Sequence, residues 1–281
     1  MEPTPQDHIA AALAEPPDSH ERWDHVRSLH QRGDEATFQA AIDLLDSPEP
    51  AGRILAANVL GQLGVEAGVR VEQRPFRRAT GELLVARIER EEDPEVLKAF
   101  AHALGHLQEP RAIPALRALR DHPDPRLRRA VTFGLFGLDD DLAVTTLIDL
   151  SRDVEAEVRD WATFGLGTQL ERDDALLRSA LLARIDDADD NTRAEALRGL
   201  AGRGEKRAVA PLLSELDRPI AADDPSILYE ALFALASQTG DERLCRVVET
   251  RGRAWQAEQP MNLKADQLSA ALERCQSVGS R

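Results

Sequence analysis

The chain has 281 residues, with 35 lysines and arginines against 50 aspartates and glutamates and a formal net charge of −15. That acidic excess repels phosphate backbones and anionic membranes alike, and the basic runs at residues 74–78 and 126–129 are too short to reverse it. With 42% hydrophobic residues but one Tyr, three Trp and seven Phe, the composition favours helices over strands and supports a continuous core.

Residues 1–17 contain proline and acid but no basic region followed by an apolar stretch, and no later segment reaches membrane-spanning length. Residues 1–18 are therefore expected to be a flexible lead-in to a cytoplasmic protein. Cys245 and Cys275 stand in no metal-like spacing and are expected to be reduced thiols. Residues 21–31 and 35–45 then predict a helical hairpin, with Trp23, Val26, Leu29 and Phe38 as apolar positions and Gly33 at the turn.

Beyond it, six segments align without gaps, starting at Gly52, Val96, Leu127, Val158, Thr192 and Ile227, here called position zero. The starts are 31 to 35 residues apart after a first interval of 44, whose excess fits a polar connection over 65–75. Position eight is always leucine: Leu60, Leu104, Leu135, Leu166, Leu200 and Leu235. Position four holds Ala56, Phe100, Val131, Ala162, Ala196 and Ala231, so zero, four and eight form an apolar stripe at helical spacing. Position seven is small throughout, which lets a second helix approach closely.

Three residues before each start stands an acid, Glu49, Asp93, Asp124, Glu155, Asp189 or Asp224, with proline next to it in four cases. An acidic N-cap with proline in the first turn marks a helix start. Arg53, Arg128, Arg159 and Arg193 at position one are expected to pair with an acid in the same or the next turn. A further helical stretch precedes each of these helices, as at 112–119, 143–150, 179–185 and 208–216. The unit is helix, acidic turn, helix, and such a hairpin buries its apolar face only by stacking on neighbours.

The run Val158-Arg159-Asp160-Trp161-Ala162-Thr163-Phe164-Gly165-Leu166-Gly167, with Asp153 ahead of it, closely resembles the second helix of a HEAT repeat. Residues 93–105 and 124–137 look like weaker copies. The resemblance spans roughly residues 40 to 250 and is closest to bacterial HEAT-repeat proteins. It implies an all-α solenoid, a right-handed superhelix of stacked hairpins whose second helices line the concave face and bind protein or peptide partners. The array is expected over 19–250, and 251–281 as a linker and capping helix.

Position six lies opposite the centre of the apolar stripe, yet it reads Asn58, His102, Phe133, Phe164, Arg198 and Phe233. Aromatic rings where a solvated helix should be polar predict a binding ridge of His102, Phe133, Phe164 and Phe233. Trp161 at position three adjoins it, and Arg129, Asp160 and Tyr229 at position two flank it.

No catalytic residue, metal or cofactor is expected. His102 and His106 are four apart but lack a third ligand at a diagnostic spacing. Deoxyhypusine hydroxylase, a HEAT-like enzyme, uses repeated His-Glu pairs, and His20-Glu21 is the only such pair here. The leading expectation is an interaction scaffold without nucleic-acid or membrane binding. The alternative is an enzyme or a lyase-like small-molecule-binding HEAT-repeat protein.

Overall fold

The structure, a computed structural model, describes residues 2–65, 69–218, 226–252, 254 and 265–279. The described residues hold helices and turns but no strand. They form two compact units, Met1–Thr146 and Leu147–Arg281. The first contains α1 (Pro5–Ala14), α2 (His20–Arg32), α3 (Glu35–Leu45), α4 (Pro50–Gly61), α5 (Arg77–Ile88), α6 (Pro94–Leu107), α7 (Ile113–Ala118) and α8 (Pro125–Gly134). The boundary falls within α9 (Asp141–Leu150). The second unit continues with α10 (Ala156–Thr168), α11 (Ala175–Leu182), α12 (Asp190–Gly202), α13 (Val209–Leu216), α14 (Ser226–Thr239), α15 (Glu242–Val247) and α16 (Ala265–Gly279).

Each unit is a stack of hairpins. In the first, α4 packs on α6 and α6 on α8; in the second, α10, α12, α14 and α16 stack in that order. The six position-eight leucines are buried, as are all six residues at position four. Close approach is set by small residues: a Cβ on Gly199 would stand 2.6 Å from Gly167 Cα, so α10 and α12 meet there almost backbone to backbone.

The acidic caps divide by side-chain length. Asp93, Asp124 and Asp189 each accept an N–H bond from the first turn, whereas Glu49 and Glu155 accept none. Glu49 and Glu155 keep only the favourable interaction of an acid with the helix N-terminus. Asp224 lies outside the described residues.

Two of the position-one arginines, Arg53 and Arg159, depart from expectation by pairing with an acid of the next hairpin, whereas Arg193 also makes the expected pair within its own turn. Arg53 donates to Ser47 O and Pro48 O of its own turn and to Glu91 of the next hairpin at 2.8 Å. Arg159 repeats this with Asp153 O, Val154 O and Asp187, and Arg193 with Asp187 O, Ala188 O and Glu215. A guanidinium at the hairpin turn thus reaches across to the next hairpin; Arg193 alone of these three also pairs with an acid of its own helix, Asp190. Helix C-termini are closed the same way: Arg77 donates to Leu107 O and Gln108 O, and Arg203 to Gly167 O and Leu170 O.

Three further expectations change. The segment expected to be flexible, 1–18, holds α1, started by a Thr4–Asp7 capping box with Pro5 in the first turn; Ile9 and Ala12 are buried as it packs on α2. The stretch read as a helix over 179–185 runs instead from Ala175 to Leu182, because the Asp174 carboxylate accepts the Leu177 N–H and fixes the start earlier. Cys245 and Cys275 are not free thiols: a disulfide joins α15 to α16, with Cα atoms 5.4 Å apart. Their 30-residue separation carries no spacing motif, so only folding reveals the pair. Of the expected linker and cap, residues 255–264 lie outside the described residues, and α16 packs on α14.

Candidate functional site

In the first unit, the solvent-side face of α6 and α8 carries an imidazole–phenyl cluster. Phe133 is half-buried, its ring centroid 5.1 Å from His102, 5.0 Å from His106 and 5.5 Å from Phe136. The helices nearly touch beneath it, since a Cβ on Gly105 would fall 2.6 Å from Phe133 O. His102 is exposed and Arg129 half-buried. Burial first, then the neighbouring His102, Arg74 and His30, pushes His106 down to about 4, so it is neutral at pH 7. His102 is also lowered, by desolvation and then by Arg129 and Lys98. His30 is lowered by desolvation although its Nε2–H donates to Asn58 O at 2.9 Å. Among the described residues, no group of three His, Cys, Asp or Glu stands in an arrangement that can hold a metal.

In the second unit, Trp161 and Phe164 meet edge to face at 5.9 Å on α10, both half-buried. Arg198 of α12 lies over the Phe164 ring, 5.3 Å from its centroid, and is held by Glu195 at 2.7 Å and Glu230 of α14 at 3.5 Å. Asp160 and Tyr229 are half-buried. Phe233 breaks the proposed row. It is 0% exposed, with Gly252 packed so closely that a Cβ there would sit 2.9 Å from the ring and 3.4 Å from Leu268 of α16. Phe233 is therefore core in the resting chain, because the C-terminal helix covers the last second helix as a further repeat would.

The structure brings Trp161 and Phe164 together in one unit and His102 with Phe133 in the other. Aromatic content at position six passes over Arg198, which shares that position; the acid three residues before it, Glu195, is the signal that marks it as a fixed guanidinium. The Cys245–Cys275 pair and the His30–His106 neighbourhood join distant segments and have no local signal. Chemically, both faces offer aromatic ring surface, and in the second unit it lies beside the paired Arg198 guanidinium.

Residues 81–167 match the family model described as HEAT repeats. In Escherichia coli strain K12, Protein YibA is 28% identical over 124 residues, a stretch covering 44% of this chain and 41% of that protein; the same holds in strain O157:H7. The X-ray structure of YibA superposes with a TM-score of 0.67 at 19% identity, covering 96% of this chain and 92% of that one. An engineered protein superposes at 0.54 with 18% identity, covering 97% and 77%. The CpcE–CpcF complex of phycocyanin lyase from Nostoc sp. PCC7120 gives 0.47 at 19% identity, covering 99% and 95%. The sequence match spans about two fifths of YibA. Among the described residues, no helix is long and apolar enough to cross a membrane.

Proposed function

We propose that this chain of stacked helical hairpins, which matches the HEAT-repeat model over residues 81–167, is a scaffold that captures a protein or peptide on the faces of its second helices. One observation carries this reading: Phe164, opposite the buried stripe, keeps a half-exposed ring between the Trp161 edge and the Arg198 guanidinium. A ring there adds little to the hairpin core, while rigid aromatics beside an immobilised arginine make good interface anchors. The His102–Phe133 cluster is a second such surface in the first unit.

Affinity capture from the source organism tests the reading, with native chain and Phe164→Ala immobilised in parallel. A partner retained by the native chain and lost with Phe164→Ala supports it. Equal retention, with both chains folded by circular dichroism, removes the surface from the account.

A further inference from the structure

The C-terminal helix docks on α14 and α15 through a narrow apolar stripe among its described side chains. On α16, Leu268, Ala271 and Cys275 are buried at spacings of three and four residues and Leu272 is half-buried, while Asp266, Gln267, Ser269, Ala270, Glu273, Arg274, Gln276 and Ser277 are exposed. On α14, by contrast, Leu228, Ala231, Leu232, Phe233, Leu235 and Ala236 are all buried. Among the described side chains of this helix, Leu268 at 7% exposure is the one large apolar residue that is buried, which offsets only part of the entropy lost in ordering it. The second tie is covalent: Cys275 is bonded to Cys245 on α15, which keeps α16 at high effective concentration above α14.

We propose that the Cys245–Cys275 bond is a redox latch: closed, it clamps α16 onto α14; opened by a dithiol reductant, it releases α16 and opens the side of α14 and Phe233 that α16 covers. The exchange balances. A thiolate of the dithiol attacks one sulfur of the bond, forming a mixed disulfide and expelling the other as a thiolate that takes up a proton. The second thiol of the reductant then closes on the first, leaving Cys245 and Cys275 as thiols and the reductant as its own disulfide. Cys245 and Cys275 are buried but keep 8% and 6% exposure, so a small dithiol gains the bond when the end of α16 opens locally. Loss of α16 also exposes the end face of α14 that another repeat would cover, so the redox state sets whether the stack is capped.

Amide hydrogen exchange on the full chain, after oxidation with oxidised glutathione and again after dithiothreitol, reads the latch without any binding partner. The expected result is an acceleration of at least about tenfold across residues 266–277 on reduction, reversed on reoxidation, with α10 and α12 unchanged. Iodoacetamide should then label two cysteines in the reduced chain and none in the oxidised one. Cys275→Ser should match the reduced wild type without any reductant. The latch is refuted if oxidised chain still offers two thiols, if α16 stays protected after reduction, or if protection is lost through α10 and α12 as well. Because no partner enters, these outcomes are separate from those that test the scaffold reading.

Discussion

Arg159 Nη2 lies 2.9 Å from Asp187 Oδ1, 28 residues further along the chain, and both side chains are largely withdrawn from water. The pair joins the turn of one hairpin to the turn of the next. Burial alone would raise the Asp187 carboxyl, yet bonds from Arg159 and the Asp189 N–H, with the Arg159 and Arg184 charges, hold it below its ordinary value. Asp187 therefore stabilises the fold above the unfolded carboxylate range, a contribution lost as pH falls through its lowered native value. Removing one partner leaves the other charge buried. Asp187→Ala should cost about 2–4 kcal/mol in urea unfolding of the second unit. The exposed Arg27–Asp24 pair serves as a control whose loss should be undetectable.

The first unit should weaken in mild acid. His30 and His106 are both lowered from 6.5, His106 to about 4, so the unfolded chain binds protons that the native chain refuses between those values. Native stability is then full above about pH 6.5 and declines as pH falls toward about 4. Melting temperatures between pH 7.5 and 4.5 should show this slope, and His106→Asn should flatten it. An unchanged slope in His106→Asn would show that the imidazole is not the group responsible.

Leu135→Ala and Leu166→Ala should each cost about 2–5 kcal/mol, since both side chains are 0% exposed. Repeat arrays unfold in parts, so hydrogen exchange around α8 and α10 should accompany denaturant curves. These leucines show why the fold was legible: each repeat poses the same burial problem, and leucine answers it at the same position six times. Contacts that the repeat does not dictate were illegible. The Cys245–Cys275 bond and the cover on Phe233 join segments whose approach depends on how hairpins stack, and the repeated position-one arginines showed their place but not their acid in the next hairpin. The same limit explains the site. Position six identified residues opposite the stripe, but whether Phe164 or Phe233 meets solvent depends on which helix lies against each ring, and only Phe233 has α16 beside it.

Nucleic-acid affinity should be negligible at physiological salt. The short basic runs are already engaged: Arg77 closes the end of α6, Arg126 pairs with Asp124 and Glu95, and Arg128 donates to His122 O and Pro123 O. Counterion release has few uncommitted cations to draw on in a chain of net charge −15. Salt-dependent submicromolar retardation of a DNA or RNA probe would contradict this.

Phe164→Ala and Phe233→Ala should separate binding from folding, because the two phenylalanines share a register position and differ in cover. Phe233 is 0% exposed with Gly252 packed on its ring, so its truncation leaves a cavity and should cost about 3–5 kcal/mol. Phe164 is half-buried, so losing its ring forfeits part of that packing and the Arg198 contact, about 1–2 kcal/mol. Binding should rank the other way under oxidising conditions. An interface anchor truncated to alanine commonly loses about 2 kcal/mol or more, roughly thirtyfold in affinity, and only Phe164 is positioned to make that contact while α16 is docked. Urea denaturation of both variants and titration of the captured partner into each supply the four numbers. If Phe164→Ala proved as unstable as Phe233→Ala, its ring would belong to the core; if it bound as tightly as the native chain, the partner would rest elsewhere on the repeats.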